Sequence, residues 1–522
     1  MTTPFVQKLP AFATIDAGVF RGLVDTRSAR LLMLAHSLAT CAMDRSVLTR
    51  PLLASLLAEA GPLRELFDAY GALHNRRWYA FRQLVDGIHL FAEVSYTILH
   101  IQISLPNYHL IQAEGDFNQA TRDALRFTGN VLMLIAARLL EEATRQDLSL
   151  PAASPEPETF AEDLPRGFLP RDRTSRHVTT AEETVAHLAT AFLNLAAESK
   201  FLHSPSRLAH ENSASCVPDP ISEESLRQIE HRFQNLRSAY DTYISDTDTE
   251  EQDPDLKVLR GHVSVIFHLL EIATRLVHYY ERHVRASSDD TQRIQRPLLH
   301  PGALLEVAMH YAILYASRYL LSARSLCQGM LKRYAEVGSI TVPVPRYRGF
   351  HVRPSTLVAR IVSHYASDVR MELGGESYDA SAPLELFRAN EQINAEKRRR
   401  LAQEIARVQE ALPPALKDRT VAAVRWIALA LAQANKIVIY EQPLPLEEME
   451  NDSCETLSQI AVDDIARLLA MGKIDIESDL TATFTGDKRV LADLQRLAKG
   501  GYGEDRFGNN VPLPNELQYL RF

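Results

Sequence analysis

The chain has 522 residues, 46% of them hydrophobic and 24% charged, with a formal net charge of −9. That length leaves room for two to four domains with ample core, and the negative balance argues against a nucleic-acid surface. Met1–Val24 lacks a basic segment followed by a long apolar one, and no uncharged apolar run reaches the roughly 18 to 20 residues that cross a bilayer, so no membrane partner is expected. Cys41, Cys216, Cys327 and Cys454 are too widely separated for a metal-ligand or redox pair, which fits a reducing cytoplasm.

From 12 to 335 the pattern is helical. Leu31, Leu32, Leu34, Ala35, Leu38 and Ala42 recur at helical spacing, as do Phe81, Leu84, Ile88, Phe91, Ala92 and Tyr96. Asp116 heads a helix expected to run through Leu125 and Leu132 to Leu140. Pro151, Pro155, Pro157, Pro165 and Pro170 make 147–180 a linker or ordered loop. Helical pattern resumes over Glu182–Phe201, 222–243, 256–285 and 301–336, and the acidic stretch Asp246–Asp255 reads as a solvated loop. Stretches 30–145 and 183–327 read as a duplication. Leu38 and Phe192, Leu66 and Leu236, Glu93 and Glu271, and Arg138 and Arg318 head matching patterns whose offsets grow along the chain.

His268, Glu271, His278 and Glu281 recur along one expected helix. Carboxylate–histidine sets inside a bundle can hold iron or manganese, but the usual order is Glu-x-x-His and here it is His-x-x-Glu. These residues therefore read as hydrogen-bonded bundle polars. No metal and no cofactor is expected, and a metal enzyme built on the helices is a third-ranked reading.

Beyond 337 the period changes. Ile340–Pro345 reads as a first strand at a sheet edge, where prolines are tolerated. Val369, Met371 and Leu373 alternate with polar residues, as do Leu480, Ala482 and Phe484, so each strand buries one face. Between the strands, Leu357, Val358, Ile361, Val362 and Tyr365 mark a helix beginning near Pro354, a residue suited to a first turn. His351 then stands just ahead of a helix N-terminus, where free N–H groups and the helix dipole favour an anion. Arg353 can add a forked clamp for phosphate oxygens, and an imidazole is a competent nucleophile near neutral pH. Nucleophile, anion cradle and cation together suit a transient phosphohistidine. Further on, Glu391–Leu412, Val421–Ala434 and Ile460–Met471 read as helices. Lys436–Tyr440 has strand character and is expected to extend the sheet. Arg506–Phe522 reads as an irregular tail anchored by Tyr519, Leu520 and Phe522.

Gly349-x-His351-x-Arg353-Pro354-x-Thr356 resembles the active-site signature of HPr, the histidine phosphocarrier family of the bacterial sugar phosphotransferase system. The similarity continues through Ser367–Leu373 as a second strand, Gly374-Gly375 as a turn, Glu376–Ala380 as a third strand and Ala382–Asn390 as a second helix. It resumes with Asp479–Asp487 as the last strand, Val490–Lys499 as the last helix and Gly501-Tyr502-Gly503-Glu504 as the ending. The helical pattern before 337 and the resemblance after it together give an α+β multidomain chain. A large all-α region, 12–335, precedes an HPr-like open-faced α/β sandwich, 337–390 plus 479–505, interrupted by a mainly helical insertion, 391–478, and followed by a tail, 506–522. The resemblance implies that His351 accepts a phosphoryl group with Arg353 beside it, that Pro354, Ser355 and Thr356 form the phosphate-stabilising helix N-terminus, and that partners dock over Thr356, Leu384 and Phe387. The partners implied are an Enzyme I-like donor and a phosphoryl acceptor or regulated protein. Ala382 occupies the place of the family's regulatory serine, with Ser381 one residue before. The alternative is a non-catalytic scaffold or regulator that uses the fold only to bind partners, with His351 buried.

Overall fold

The computed structural model describes residues 14–40, 48–151, 181–203, 220–285, 301–416, 419–446 and 456–521, with 160, 162, 164, 169, 170 and 217. Most of the expected linker 147–180 lies outside them, as do Cys41, Cys216, Cys454 and Phe522. The chain is mostly helical with a small antiparallel sheet, an α+β fold. Among the described residues no helix is long and apolar enough to cross a membrane.

Two compact units emerge, Met1–Ala181 with Ser199–Ala323, and Glu182–Glu198 with Arg324–Phe522. The all-α region expected over 12–335 contributes to both units. The helix Ala181–Glu198 falls almost wholly in the second unit, and Leu314–Arg333 contributes residues to both. Asn194 explains the first assignment: its Oδ1 lies 2.9 Å from His364 Nε2. The proposed halves 30–145 and 183–327 are consequently split unevenly between the units.

The first unit is built from long helices. Asp116 accepts the Gln119 N–H and opens Phe117–Arg145 as its spacing implies. Arg50–Ala69, which the apolar stripes above leave out, forms despite Pro62 because Leu52, Leu53, Leu56, Leu63 and Phe67 bury one face. Its Pro51 sits harmlessly in the first turn, and Thr49 caps it. The acidic stretch is not a plain loop. Asp248–Gln252 is a short helix capped by Thr247, and Glu250 turns inward to accept the Tyr240 hydroxyl at 3.0 Å. A buried hydroxyl needs an acceptor, so one carboxylate of the run is drawn into the core.

In the second unit, four strands form one antiparallel sheet: β1 Val337–Pro343, β2 Arg370–Leu373, β3 Glu376–Asp379 and, after β4 Ile437–Ile439 and β5 Ile474–Ile476, β6 Thr481–Asp487. The order across it is β1-β6-β2-β3. Ile340 and Met371 both stand opposite Phe484. Met371, Leu373, Ala482 and Phe484 are buried on one face, and Val358, Ile361 and Val362 of helix Val352–Tyr365 and Leu491, Leu494 and Leu497 of helix Lys488–Lys499 complete the core. Gly374 and Gly375, both at positive φ, turn β2 into β3. Pro343 ends an edge strand, where no ladder hydrogen bond is lost.

The insertion has a core of its own, made by Leu401, Ile405, Val424, Ile427, Leu431, Ile465 and Leu468 among others. Its helices are Asn390–Gln409, Thr420–Gln433 and Leu457–Ala470. The strand expected at 436–440 forms as β4, but it pairs with β5 in a separate two-stranded sheet and does not extend the main one. Both strands of that pair face the insertion's core: Ile437, Ile474 and Ile476 are buried in it.

Candidate functional site

His351 is the N-cap of helix Val352–Tyr365. The helix begins two residues earlier than Pro354, which is its third residue. Proline still fits there, because the first three helical N–H groups have no intrahelical acceptor. This moves the unsatisfied first-turn N–H groups. Val352 and Arg353 carry the N–H groups left over by the helix and Pro354 has none to give. Ser355 donates its N–H to the His351 carbonyl at 3.1 Å and its hydroxyl to the same oxygen at 2.7 Å. Thr356 returns its hydroxyl to the Val352 carbonyl at 2.5 Å. Of the expected cradle Pro354, Ser355 and Thr356, none therefore presents a free hydroxyl or first-turn donor; the unsatisfied first-turn N–H groups are those of Val352 and Arg353.

The histidine side chain is 24% exposed. Its Nε2 lies 3.0 Å from Glu504 Oε1, and its Nδ1 lies 3.2 Å from the Gly349 carbonyl oxygen. Glu504 follows the turn Gly501–Gly503, so the ending of the resemblance reaches the histidine directly. Both nitrogens therefore face an acceptor oxygen, and the Nδ1 lone pair is open to a reactant only in the tautomer that keeps its proton on Nε2, towards Glu504, with Nδ1 turned from the Gly349 carbonyl. Arg353 stands half-buried on the helix, and among the described residues no hydrogen bond or ion pair engages its guanidinium.

The turn that presents the ring is held from the insertion. Arg348 and Gly349 both adopt positive φ, +54° and +59°. Asp475 accepts the Arg348 N–H at 2.5 Å, and Asn390 accepts the Phe350 N–H at 2.7 Å. Asp475 is itself buried in an ion pair with Lys397, Nζ–Oδ1 2.8 Å, with side chains 5% and 1% exposed. Burial pulls the Lys397 ammonium below its ordinary value, and Asp475 opposes that pull. The Arg348 guanidinium lies over the Tyr440 ring at 4.4 Å. Positive φ at a non-glycine residue such as Arg348 persists only where its surroundings over-determine it, and here Asp475 and Tyr440 supply that.

The expected docking residues lie on the surface. Leu384 is 80% and Phe387 50% exposed, with Val352 at 75%, and Thr356 is half-buried. Ser381 donates its N–H and hydroxyl to Asp379, and Ala382 is the N-cap of helix Pro383–Arg388.

The helical histidines do not converge. His268 Nδ1 lies 3.3 Å from Glu271, whereas His278 Nδ1 lies 2.9 Å from Glu223. Glu281 accepts the Glu223 N–H. Among the described residues no group of three or more His, Cys, Asp or Glu side chains is placed to hold a metal ion. Sequence reasoning missed Lys397, Asn390 and Asp475, each far from His351 in the chain. The one signal was a lysine among the apolar positions of a highly charged helix. Comparison with known proteins finds no matching family model, no matching curated protein and no matching solved structure.

Proposed function

We propose that this chain is an HPr-like phosphocarrier or regulatory protein of the bacterial cytoplasm that accepts a phosphoryl group on His351. The observation that carries the reading is a partly exposed imidazole at a helix N-cap, with Nε2 on Glu504, the Val352 and Arg353 N–H groups of the first turn following it, and Arg353 two residues on in the chain. The antiparallel order β1-β6-β2-β3 supports it, since it puts the first strand at a sheet edge, as the resemblance implies. In the proposed step Nδ1 leaves the Gly349 carbonyl and, with the ring proton kept on Nε2 towards Glu504, its lone pair attacks the phosphorus of a donor phosphohistidine. A new N–P bond forms, the donor's N–P bond breaks, and its electron pair returns to the donor ring. Such a transfer needs positioning and neutralisation of the equatorial oxygens, which backbone donors and Arg353 supply. Leu384, Phe387 and Val352 give an Enzyme I-like donor and a later acceptor an apolar place to dock. No cofactor enters the scheme. The scaffold alternative expects a sealed ring, and the 24% exposure of His351 favours the carrier.

The test is incubation with Enzyme I and labelled phosphoenolpyruvate. The expected result is acid-labile label on the wild type and none on His351→Ala. Absence of label from the wild type, or equal label on both proteins, would rule the carrier role out.

A further inference from the structure

Beside the His351 turn, a cavity of about 660 Å³ opens between helix Val352–Tyr365 and the tail that follows Glu504. Its size is that of a small-molecule site. Arg353, Arg360 and Arg521 line it, and no carboxylate is among its lining residues. The tail is fixed where it forms the far wall. Tyr519 is buried, donates its hydroxyl to Asp493 at 2.7 Å and stacks on His364 at 4.1 Å. Two guanidiniums are pinned at the rim: Arg360 Nη1 donates to the Leu520 carbonyl and Arg521 Nη2 to the Leu513 carbonyl, each at 3.2 Å. A guanidinium has five N–H donors, so each pinned arginine keeps others for a ligand. Between the charges the walls are apolar, with Leu357, Leu513 and Leu520.

Three cations without an acid, set around an apolar floor, match a dianion on a hydrophobic body. The forked geometry of arginine favours an oxyanion over a halide or a hydroxyl. We infer that this cavity binds a small phosphomonoester with an apolar body, its phosphate among Arg353, Arg360 and Arg521 and its body against Leu357, Leu513 and Leu520. The site does not require His351 to be phosphorylated. It shares Arg353 with the proposed phosphohistidine site, so a bound phosphomonoester and a phosphoryl group on His351 compete for one guanidinium. Binding linkage is reciprocal: the ligand lowers the equilibrium extent of His351 phosphorylation, and the phosphorylated protein binds the ligand more weakly by the same factor.

The experiment is calorimetric titration of the full chain with phenyl phosphate, inorganic phosphate and phenol. Phenyl phosphate is expected to bind saturably, at least about tenfold tighter than inorganic phosphate, because its ring is taken out of water. Phenol is expected not to bind measurably. Arg360→Ala/Arg521→Ala loses most of the affinity. Because those two arginines also tie the tail to the helix, Arg353→Ala, which breaks no such tie, is the second variant and weakens binding as well. Hydrogen exchange should slow over 510–521 and 352–360 when phenyl phosphate is present. His351→Ala is expected to bind phenyl phosphate like the wild type whether or not the carrier role holds, which separates the two ideas. Phenyl phosphate binding no tighter than inorganic phosphate, undiminished binding in both arginine variants, or binding that vanishes in His351→Ala would each overturn the inference.

Discussion

His89, His100 and His262 of the helical unit and His351 of the sheet unit are handled in opposite ways. His262 is fully buried, with Nδ1 2.8 Å from the Val258 carbonyl, and burial lowers its pKa. His100 packs against His268 at 4.7 Å, and burial and that neighbour lower it too. His89 is held down to about 4, by burial first and then by Arg64, whose Nη1 lies 3.1 Å from its Nδ1. These rings are kept neutral and serve as polar packing. His351 instead caps a helix at the rim, and its two nitrogens face an oxygen each. An imidazole's capacity for chemistry is set by what occupies its nitrogens and whether a reactant can reach it, not by its residue type.

The comparison can be broken most forcefully at Lys397. Lys397→Met leaves Asp475 buried without its counter-charge, and a broken buried pair costs about 3–5 kcal/mol. Denaturant titration should show that loss. His351 labelling should fall in the protein that remains folded, since Asp475 also holds the Arg348 N–H. If labelling per folded molecule stayed unchanged, the insertion would be irrelevant to the presenting turn.

Gly349→Ala comes next. An added Cβ would stand 2.2 Å from Asn390 Oδ1, on a backbone already at positive φ. In an Asn390→Ala background the clash with that side chain disappears, leaving a tight 3.3 Å approach to Ile393 Cδ1 and backbone strain of about 1–2 kcal/mol. A double-mutant cycle should therefore show coupling between the two positions; strict additivity would contradict the packing described.

Glu504→Gln keeps a side chain of the same shape but removes the charge that fixes the Nε2 proton. Labelling of His351 is expected to slow several-fold without loss of thermal stability. An unchanged rate would separate the C-terminal ending from the chemistry.

The smallest effect lies in the helical unit. His89 has a lower pKa folded, about 4, than unfolded, 6.5. The unfolded chain therefore binds more protons between those values. The stability from the neutral ring is complete above about pH 6.5 and is lost as pH falls towards 4. Because the ring is only partly buried, solvent screening trims the effect. A melting-point drop of about 2–4 °C between pH 7 and pH 5 is expected from this group. His89→Gln should remove that share, and a melting curve equally pH-dependent in the variant would refute the assignment.

What the sequence made legible was local. Gly374-Gly375, the alternation of Met371 and Leu373, the cap at Asp116 and the order of His351, Arg353 and Pro354 each express rules that act within a few residues. The helix start was legible to within two residues, and that small error mattered, because it shifted the unsatisfied first-turn N–H groups from Ser355 and Thr356 to Val352 and Arg353. Illegible were the contacts closed by the fold. Asp475 and Asn390 clasp the presenting turn from far along the chain, Glu250 turns inward to meet Tyr240, and Asn194 ties its helix to His364. No periodicity announces such partners, since each is a polar residue in an otherwise ordinary stretch.

The position of β6 governs the order in which this unit can be made. It is the last strand in the chain, yet it lies between β1 and β2. On the ribosome, Val337–Pro343 and Arg370–Leu373 emerge early and wait with open edges, while the insertion, with its own core, can condense first. The sheet zips only when Thr481–Asp487 arrives, so a chain cut short within the insertion would carry unmatched strand edges of the kind that recruit other chains.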